Sequence, residues 1–212
     1  MTDSELACNC RGMAGDLQLQ MLLALLVGYL LGSIPFGLIL TRLSGKGDVR
    51  KVGSGNIGAT NVMRAAGKGP AAGTVVFDTV KATAAVLIAR ALWPGTEVFA
   101  AAGALVGHLY PVWLKFRGGK GVATYLGLLI ALLWPAAGVF ALVWVGALAI
   151  IRISSVAGML AAISAPITAA VLGQAALFPI LLGFTFLVLW RHHGNIARLR
   201  AGTEPRIGQK SG

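Results

Sequence analysis

The sequence predicts an all-α, polytopic membrane protein of seven transmembrane helices. Three observations predict this fold: its composition, its apolar runs and the placement of its positive charges. Of the 212 residues, 57% are hydrophobic and only 12% are charged, with a mean hydropathy of +0.79. Soluble domains carry about 25% charged residues, so lipid must be the solvent for most of this chain. We expect a polar N-terminal extension (1–16), one seven-helix membrane domain (17–208) and a C-terminal tail (209–212).

Seven apolar runs are candidates for the spanning helices, since a span needs about 20 apolar residues, with a range of about 17–25. The runs are Leu17–Thr41, Pro70–Trp93, Val98–Leu114, Val122–Leu133, Ala136–Ile151, Ser155–Leu172 and Ala175–Trp190. The fourth and fifth form one continuous apolar stretch that is interrupted only at Trp134-Pro135. This stretch is therefore either a single span or a tight hairpin of two.

The distribution of Lys and Arg favours the hairpin. With two spans in the stretch, the basic regions around 42–69, 114–121 and 191–210 fall on one side of the membrane. Of the 18 Lys and Arg residues, only Arg11, Lys81 and Arg90 then lie elsewhere, which leaves 15 on that side. Short cytoplasmic loops carry excess positive charge. We therefore predict seven spans in a bacterial inner membrane, with the N-terminus periplasmic and the C-terminus and the basic loops cytoplasmic.

The net charge of +11 fits anionic lipid head groups or a phosphorylated substrate, and no nucleic-acid partner is expected, because orientation of a membrane protein already requires basic loops. Cys8 and Cys10 are too closely spaced for a zinc pair, and a second Cys/His pair to complete the site is absent from the sequence. Neither a metal nor a cofactor is predicted.

The first cluster of candidate binding residues is Gly53-Ser54-Gly55-Asn56-Ile57-Gly58-Ala59-Thr60-Asn61, followed by Arg64. It contains G-x-G-x-x-G, but a dinucleotide fingerprint requires a preceding strand, and none is expected here. Small residues with free amides, polar side chains and a nearby Arg can form an anion-binding nest. A short helix over residues 61–66, capped by Thr60 or Asn61, would add a favourable dipole. A flexible glycine turn is the alternative.

The second cluster runs from Gly107-His108-Leu109-Tyr110-Pro111 to Gly118-Gly119-Lys120-Gly121-Val122-Ala123-Thr124. Glycine amides can cradle phosphate while Lys120 supplies charge. A Walker A motif is excluded because Leu114, not Gly, stands six positions before this lysine. An orienting basic loop is the alternative.

The third cluster begins with Arg191-His192-His193-Gly194-Asn195-Ile196 and continues to Arg198, Arg200, Gly202, Glu204, Arg206 and Gly208. Alone, it is also typical of a basic end to a last helix. Arg152-Ile153-Ser154-Ser155 falls on the same predicted face and adds two hydroxyls.

Asp78 and Lys81 lie within the second span at positions i and i+3, where their side chains share one helix face. Charges inside a span are costly and usually face the interior of the bundle. A structural ion pair is favoured over a proton relay, because the other spans offer no acid that would extend a relay.

Three phosphate-suited loops on one membrane face point to anion binding, by transport or by group transfer. Paired-carboxylate and metal-dependent hydrolysis are disfavoured, since only Asp48 and Glu204 are acids on the predicted cytoplasmic side. A structural scaffold would not need these donors. A transporter or channel for small phosphorylated anions remains the competing class.

The clusters resemble the motifs of the bacterial acyl-phosphate:glycerol-3-phosphate acyltransferases (PlsY). The matching segments, in order, are Gly32-Ser33-Ile34-Pro35-Phe36-Gly37, Gly53 to Arg64, Gly107 to Pro111 with Gly118 to Thr124, and Asn195 to Gly208. The resemblance implies a seven-helix membrane acyltransferase. It also implies transfer of an acyl chain from acyl phosphate to the sn-1 hydroxyl of glycerol 3-phosphate, giving lysophosphatidic acid for phospholipid biosynthesis.

Carried over residue by residue, the resemblance implies two groups of site residues. The catalytic group is Ser54, Arg64, Lys120, His192 and Asn195. The phosphate-binding group is Gly53, Gly55, Asn56, Thr60, Asn61, Gly118, Gly119, Gly121 and Ser155. The expected partners are the two substrates and membrane lipid, with a soluble acyl-phosphate synthase as a candidate docking partner.

The proton acceptor of this reaction has two candidates. His192 could deprotonate the attacking hydroxyl, or it could bind a phosphate while the substrate's own phosphate accepts the proton. The scarcity of acids favours the second, substrate-assisted route. His192→Ala should then impair binding of the acceptor more than the maximal rate.

Overall fold

The computed structural model describes residues 3–208, with side chains from Gly15 onward. The described residues are helical and contain no strand. The helices are α1 (Asp3–Gly32), α2 (Phe36–Leu43), α3 (Ala59–Ala66), α4 (Lys68–Leu92), α5 (Glu97–Leu109), α6 (Val122–Leu132), α7 (Trp134–Ile151), α8 (Ser154–Val171), α9 (Phe178–Arg191) and α10 (His193–Arg200). The side chains of Cys8 and Cys10, and the tail at 209–212, lie outside the described residues.

Within the described chain, four segments are long and apolar enough to cross a membrane: Gly15–Leu43, Glu97–Leu114, Trp134–Ile151 and Ser154–Val171. Helices α6 and α9 are apolar but shorter. Helix α4 has 25 residues and includes the predicted charged pair of the second span. These lengths agree with a membrane protein, while the number of spans and the side on which each end lies stay predictions.

The first predicted span is not one continuous helix. Helix α1 ends at Gly32 and α2 begins at Phe36. Both helices lie within one candidate span, Gly15–Leu43, which contains the predicted run Leu17–Thr41. Pro35 causes the break, because proline lacks an N–H donor and disfavours helical geometry at the preceding Ile34. The carbonyl oxygen of Ile34 is thereby released from the helix and accepts a hydrogen bond from Lys81 Nζ at 2.7 Å.

The interruption predicted at Trp134-Pro135 is present. Helix α6 ends at Leu132 and α7 begins at Trp134, with a proline in its first turn, where no N–H is needed. The two helices also contact each other. On the inner side of this corner, the buried Tyr125 hydroxyl donates to the carbonyl of Leu181 on α9 at 2.8 Å. The apolar core thus joins α6 to the last long helix.

Small residues bring α1 and α5 into close contact, as expected for glycines in spanning helices. A Cβ atom added at Gly28 would lie 2.1 Å from the carbonyl oxygen of Ala100, and one at Gly103 would lie 2.1 Å from that of Leu25. Both distances are far inside van der Waals contact. The contact therefore depends on glycine on both helices.

Substitution at this contact should destabilise the protein. We expect Gly28→Ala to lower the free energy of unfolding by about 1–3 kcal/mol through overpacking. Thermal unfolding in detergent micelles measures the effect. Gly138→Ala is the matched control, because its added Cβ has no atom within 4 Å. Equal melting temperatures for the two variants would contradict the close contact.

Candidate active site

One cavity of about 300 Å³ collects residues from the three predicted clusters. It lies where α3, α4, α6, α8 and the chain after α9 meet. The predicted site residues that line it are Gly53, Ser54, Asn56, Thr60, Asn61, Arg64, Asp78, Lys120, Gly121, Ser155, His192 and Asn195. Sequence-distant loops therefore share one compartment, as the prediction requires.

Asn61 organises the first loop rather than capping a helix. Helix α3 begins at Ala59, after Gly58, with no side-chain cap, so the prediction of Thr60 or Asn61 as cap is wrong. The Asn61 amide nitrogen donates to the carbonyl oxygens of Val49, Val52 and Asn56, each at 2.9 Å. Its amide oxygen accepts from the Ser54 N–H at 3.1 Å. These bonds fold the loop and occupy the side chain, which leaves Asn61 a loop-shaping role.

Three helices begin at the cavity. Residues of the first turn of α3 (Ala59, Thr60), of α6 (Val122, Ala123) and of α8 (Ser154, Ser155) all line it. The first N–H groups of a helix have no intrahelical acceptor and carry partial positive charge. Convergence of three such ends favours a bound anion.

Lys120 is the central cation of the cavity. Within residues 15–208, the structure shows no carboxylate paired with it, and it is half-buried. Burial, together with the charges of Arg198, Arg64 and Arg191, lowers the pKa of Lys120 to about 8 against the opposing effect of Glu204. A smaller adjoining cavity of about 180 Å³ is lined by Lys120, Arg191 and Arg198 as well. Crowded like charges of this kind are stabilised when an anion binds.

His192 faces the cavity as a neutral imidazole. Its side chain is only 2% exposed, and burial lowers its pKa to about 4. Nδ1 lies 2.8 Å from the carbonyl oxygen of Val188. Since a carbonyl can only accept, Nδ1 carries the proton, and Nε2 presents a lone pair. His192 is therefore a hydrogen-bond acceptor in the empty site.

Glu204 binds two of the predicted site residues. Its carboxylate accepts from Ser155 Oγ at 2.6 Å, from Asn195 Nδ2 at 2.5 Å and from Arg198 Nε at 2.7 Å. Burial raises the pKa of Glu204, but these three hydrogen bonds outweigh it, so the net shift is downward. Ser155 and Asn195 thus hold the segment after α10 against the cavity.

Gly118 and Gly119 position the second loop. Their N–H groups donate to the carbonyl oxygens of Leu109 and His108 at 3.2 and 3.0 Å, so neither amide is open to phosphate. Neither residue lines the cavity, and the same holds for Gly55, whose N–H donates to Val52. In the structure these glycines allow close packing of the backbone and tight turns of the chain.

Arg191 fixes the same loop from the other side. Its guanidinium donates to the carbonyl oxygens of Gly119 and Gly118 at 3.2 and 3.1 Å and lies 5.0 Å from the ring centre of Tyr110. The loop is thus clamped between α5 and the end of α9, which directs Lys120 into the cavity.

The predicted ion pair within α4 is present. Lys81 Nζ lies 2.6 Å from Asp78 Oδ1, and both side chains are buried. His108 Nδ1 lies 3.1 Å from the same Nζ. The pair therefore belongs to a cluster that connects α4 and α5 at the wall of the cavity.

Comparison with known proteins decides the family. A family model described as glycerol-3-phosphate acyltransferase matches residues 22–202. A glycerol-3-phosphate acyltransferase of Mesorhizobium japonicum is 54% identical over 190 residues, covering 90% of this chain and 97% of that protein. The chain belongs to the glycerol-3-phosphate acyltransferase family. A relative of the same description in Brucella anthropi is 53% identical over 196 residues, covering 92% of this chain and 98% of that protein.

Solved structures of this acyltransferase family share the fold. The crystal structure of PlsY (YgiH), an integral membrane glycerol 3-phosphate acyltransferase, in its glycerol 3-phosphate form superposes with a TM-score of 0.83 at 38% identity. The match covers 89% of this chain and 96% of that one. The lysophosphatidic acid form of the same protein gives a TM-score of 0.81. The family resemblance seen in the sequence is confirmed.

The residues of this family member that lie at the site but were not among the predicted site residues include His108, Arg191, Arg198 and Glu204. Each stands inside a cluster that the sequence analysis identified. They were missed by sequence analysis because the spacing of residues along the chain does not indicate such contacts. Glu204 and Ser155, for example, are bonded although they are 49 positions apart.

Proposed function

We propose that this protein transfers an acyl chain from acyl phosphate to the sn-1 hydroxyl of glycerol 3-phosphate, giving lysophosphatidic acid and phosphate. The observation that carries the proposal is Lys120, a half-buried cation without a carboxylate partner in the described chain, facing a cavity at three helix N-termini. The family membership and the glycerol 3-phosphate and lysophosphatidic acid forms of PlsY support the acceptor and the product. The donor follows from the sequence resemblance.

The cations suit two phosphate-bearing substrates. Lys120 and Arg64 lie on the cavity wall, and Arg64 has no acceptor among the described residues. Acyl phosphate is a mixed anhydride with a good leaving group, so the protein need only position the reactants and neutralise charge. Positioning of two bound reactants can supply about 7–11 kcal/mol of the barrier. The Ser54 and Asn56 side chains are placed to contact the reacting carbonyl or the acceptor.

The proton of the attacking hydroxyl passes most easily to a substrate phosphate. A phosphate monoester has a second pKa of about 6, whereas the pKa of His192 is lowered to about 4. The phosphate is thus the stronger base. In this scheme the sn-1 hydroxyl gives its proton to the phosphate, its oxygen bonds to the acyl carbon, and the bond from that carbon to the donor phosphate breaks. His192 Nε2 accepts a hydrogen bond from the other free hydroxyl of glycerol 3-phosphate and so orients the acceptor.

The apolar wall of the cavity is placed to receive the acyl chain. Val75, Val122, Ala123 and Trp144 line it on the side of α4, α6 and α7. Burial of methylene groups contributes about 0.8 kcal/mol each. A membrane location lets the donor's chain remain in lipid while its phosphate enters the polar end.

We further propose that the site faces the cytoplasm of a bacterial inner membrane. Support comes from the three basic loops. Because they meet at one cavity, all three must lie on the same side of the membrane. The predicted seven-span arrangement places all three loops on one side. With Cys8 and Cys10 replaced by serine, single cysteines near Gly55, Gly119 and Asn195 should all be protected from a membrane-impermeant thiol reagent added outside cells and labelled after the cells are permeabilised. Labelling of any of them in intact cells would contradict the topology.

The decisive experiment is an activity assay on purified protein in detergent micelles, with acyl phosphate and glycerol 3-phosphate as the only substrates. We expect lysophosphatidic acid to form. Product formed without a sealed compartment also excludes anion transport as the main activity. Absence of product from folded protein, with phosphate uptake into proteoliposomes instead, would support the transporter.

The pH dependence of kcat/KM should report the deprotonation of Lys120. Because the pKa of Lys120 is lowered to about 8 in the free protein, its ammonium is lost as the pH rises through that value. Binding of phosphate substrates then weakens, and kcat/KM should decline above pH 8. Lys120→Arg should move this alkaline limb upward, since guanidinium stays protonated above pH 12. An unchanged limb in Lys120→Arg would assign it to another group.

His192→Ala should raise KM for glycerol 3-phosphate more than it lowers kcat. The variant removes the acceptor that orients glycerol 3-phosphate through its second free hydroxyl, but it leaves the phosphate that takes the proton of the attacking hydroxyl. Steady-state kinetics with each substrate varied in turn measures both constants. A collapse of kcat with KM unchanged would instead identify His192 as the general base.

A further inference from the structure

His108 lies at the cavity but takes no part in the steps above. It occupies the last turn of α5, its side chain is 4% exposed, and it lines the cavity wall. A Cβ atom added at Gly119 would lie 2.1 Å from His108 Nε2. That nitrogen therefore sits directly beneath the loop that carries Lys120.

Lys81 determines which ring nitrogen of His108 carries the proton. Lys81 Nζ forms an ion pair with Asp78 Oδ1 at 2.6 Å, donates to the Ile34 carbonyl oxygen at 2.7 Å and lies 3.1 Å from His108 Nδ1. An ammonium group donates three hydrogen bonds and accepts none. Nδ1 must then carry the lone pair, and the proton of the neutral ring lies on Nε2.

The charge on Lys81 is required by its neighbour. A neutral amine would leave the buried Asp78 carboxylate without a counter-charge, which is strongly destabilising. Asp78 Oδ1 lies 3.7 Å from His108 Nδ1, too far to compete for that nitrogen. The ammonium therefore holds His108 in one tautomer.

The Nε2–H group has no acceptor among the residues that the structure describes. The group is not fully enclosed, since the enclosed side-chain nitrogen and oxygen atoms without a hydrogen-bond partner in the described chain are Asp78 Oδ1 and Thr124 Oγ1. A partly accessible donor is normally satisfied by water or by a ligand. His108 lines a cavity whose other donors suit an anion. A ligand oxygen would satisfy the Nε2–H group without adding to the positive charge of Lys120 and the arginines.

We propose that His108 is a further substrate-binding residue, whose Nε2–H donates to a phosphate oxygen held in the cavity, while Lys81 fixes its tautomer. The proposal rests on the proposed function and adds a neutral donor to its cations. The phosphate belongs either to glycerol 3-phosphate or to acyl phosphate, and the two KM values distinguish the sources.

Two substitutions of His108 separate the roles of its two ring nitrogens. In His108→Asn the amide oxygen can still accept from Lys81, but no donor reaches the position of Nε2. In His108→Gln the amide nitrogen reaches that position, but the acceptor for Lys81 is lost. We expect His108→Asn to raise the KM of one substrate about 10- to 100-fold, as for a lost hydrogen bond to a charged group, and His108→Gln to stay within about threefold of the wild type.

The opposite order would overturn the proposal, because a purely structural histidine needs its bond to Lys81 more than a free donor. Wild-type KM values in His108→Asn would also overturn it. A fall in kcat with both KM values unchanged would place the donor on the reacting carbonyl and exclude the phosphate assignment.

A spectroscopic measurement tests the same point without turnover. The chain has three histidines, so the imidazole ¹⁵N resonances of labelled wild-type protein in micelles can be assigned by single substitutions. We expect the Nε2–H tautomer for His108, and a shift of its Nε2–H resonance when inorganic phosphate is added. An Nδ1–H tautomer, or no shift at saturating phosphate, would refute the proposal. If the Nε2–H resonance of the wild type shifts with phosphate but the protein forms no product, the proposed function is wrong and the anion site is supported.

Discussion

Lys120→Ala should lower kcat/KM by about 10²–10³-fold while the protein stays folded and inserted. Lys120 faces the cavity without a carboxylate partner in the described chain, so its charge is available to the substrate phosphates. Loss of one donor aimed at a reacting anion costs about 2.7–4 kcal/mol. Its removal also relieves repulsion from Arg64, Arg191 and Arg198. The melting temperature should therefore be equal to or higher than that of the wild type.

The matched control is Lys68→Ala, which removes the same charge from an exposed position at the start of α4, outside the cavity. Its kinetics should match the wild type within a factor of about two, because exposed charges are screened by salt. Initial rates in micelles and a thermal melt of each variant provide the comparison. Near-normal turnover in Lys120→Ala would remove the basis for the proposed phosphate site.

Gly118→Ala should reduce kcat/KM about 10²-fold by displacing the loop that carries Lys120. An added Cβ would lie 2.1 Å from the carbonyl oxygen of His108 and 2.6 Å from that of Leu109. Both atoms belong to the backbone of α5 and cannot rotate away, so the loop must move. Misplacement of a catalytic group by about 1 Å can cost this much.

Gly208→Ala is a useful comparison at a residue that does not line the cavity. The nearest atom to its added Cβ is Nη2 at the end of the Arg152 side chain, at 3.1 Å, and its positive φ of 87° also adds backbone strain. We expect a smaller loss of activity than for Gly118→Ala, because the loop of Lys120 is untouched. A KM for glycerol 3-phosphate that is unchanged in Gly118→Ala would show that the loop is not under this constraint.

The all-helical architecture followed from apolar runs, which depend on local composition and are read directly from the sequence. The family resemblance likewise followed from local motifs. The break at Ser33-Ile34-Pro35 was missed even though Pro35 was visible, because apolar residues continue on both sides and a proline is often tolerated in a span. What stabilises the break is Lys81, 47 residues away.

The site was predicted as a set of residues but not as a set of roles. The structure brings Ser54, Arg64, Lys120 and His192 together at one cavity, and their roles stay proposals. The amides of Gly118 and Gly119 were expected to hold phosphate, yet they bond to α5. Backbone pairing of this kind depends on the tertiary approach of α5, which glycine spacing alone does not encode.

Lys81 donates to the Ile34 carbonyl across the gap between α1 and α2. Before α4 enters the bilayer, that oxygen keeps only the N–H of Phe36, 3.1 Å away in the same turn. Proline already disfavours a continuous helix here, so the nascent chain can bend at Pro35, but the bend lacks its charged donor. The angle between α1 and α2 should consequently become fixed only after α4 has packed against them.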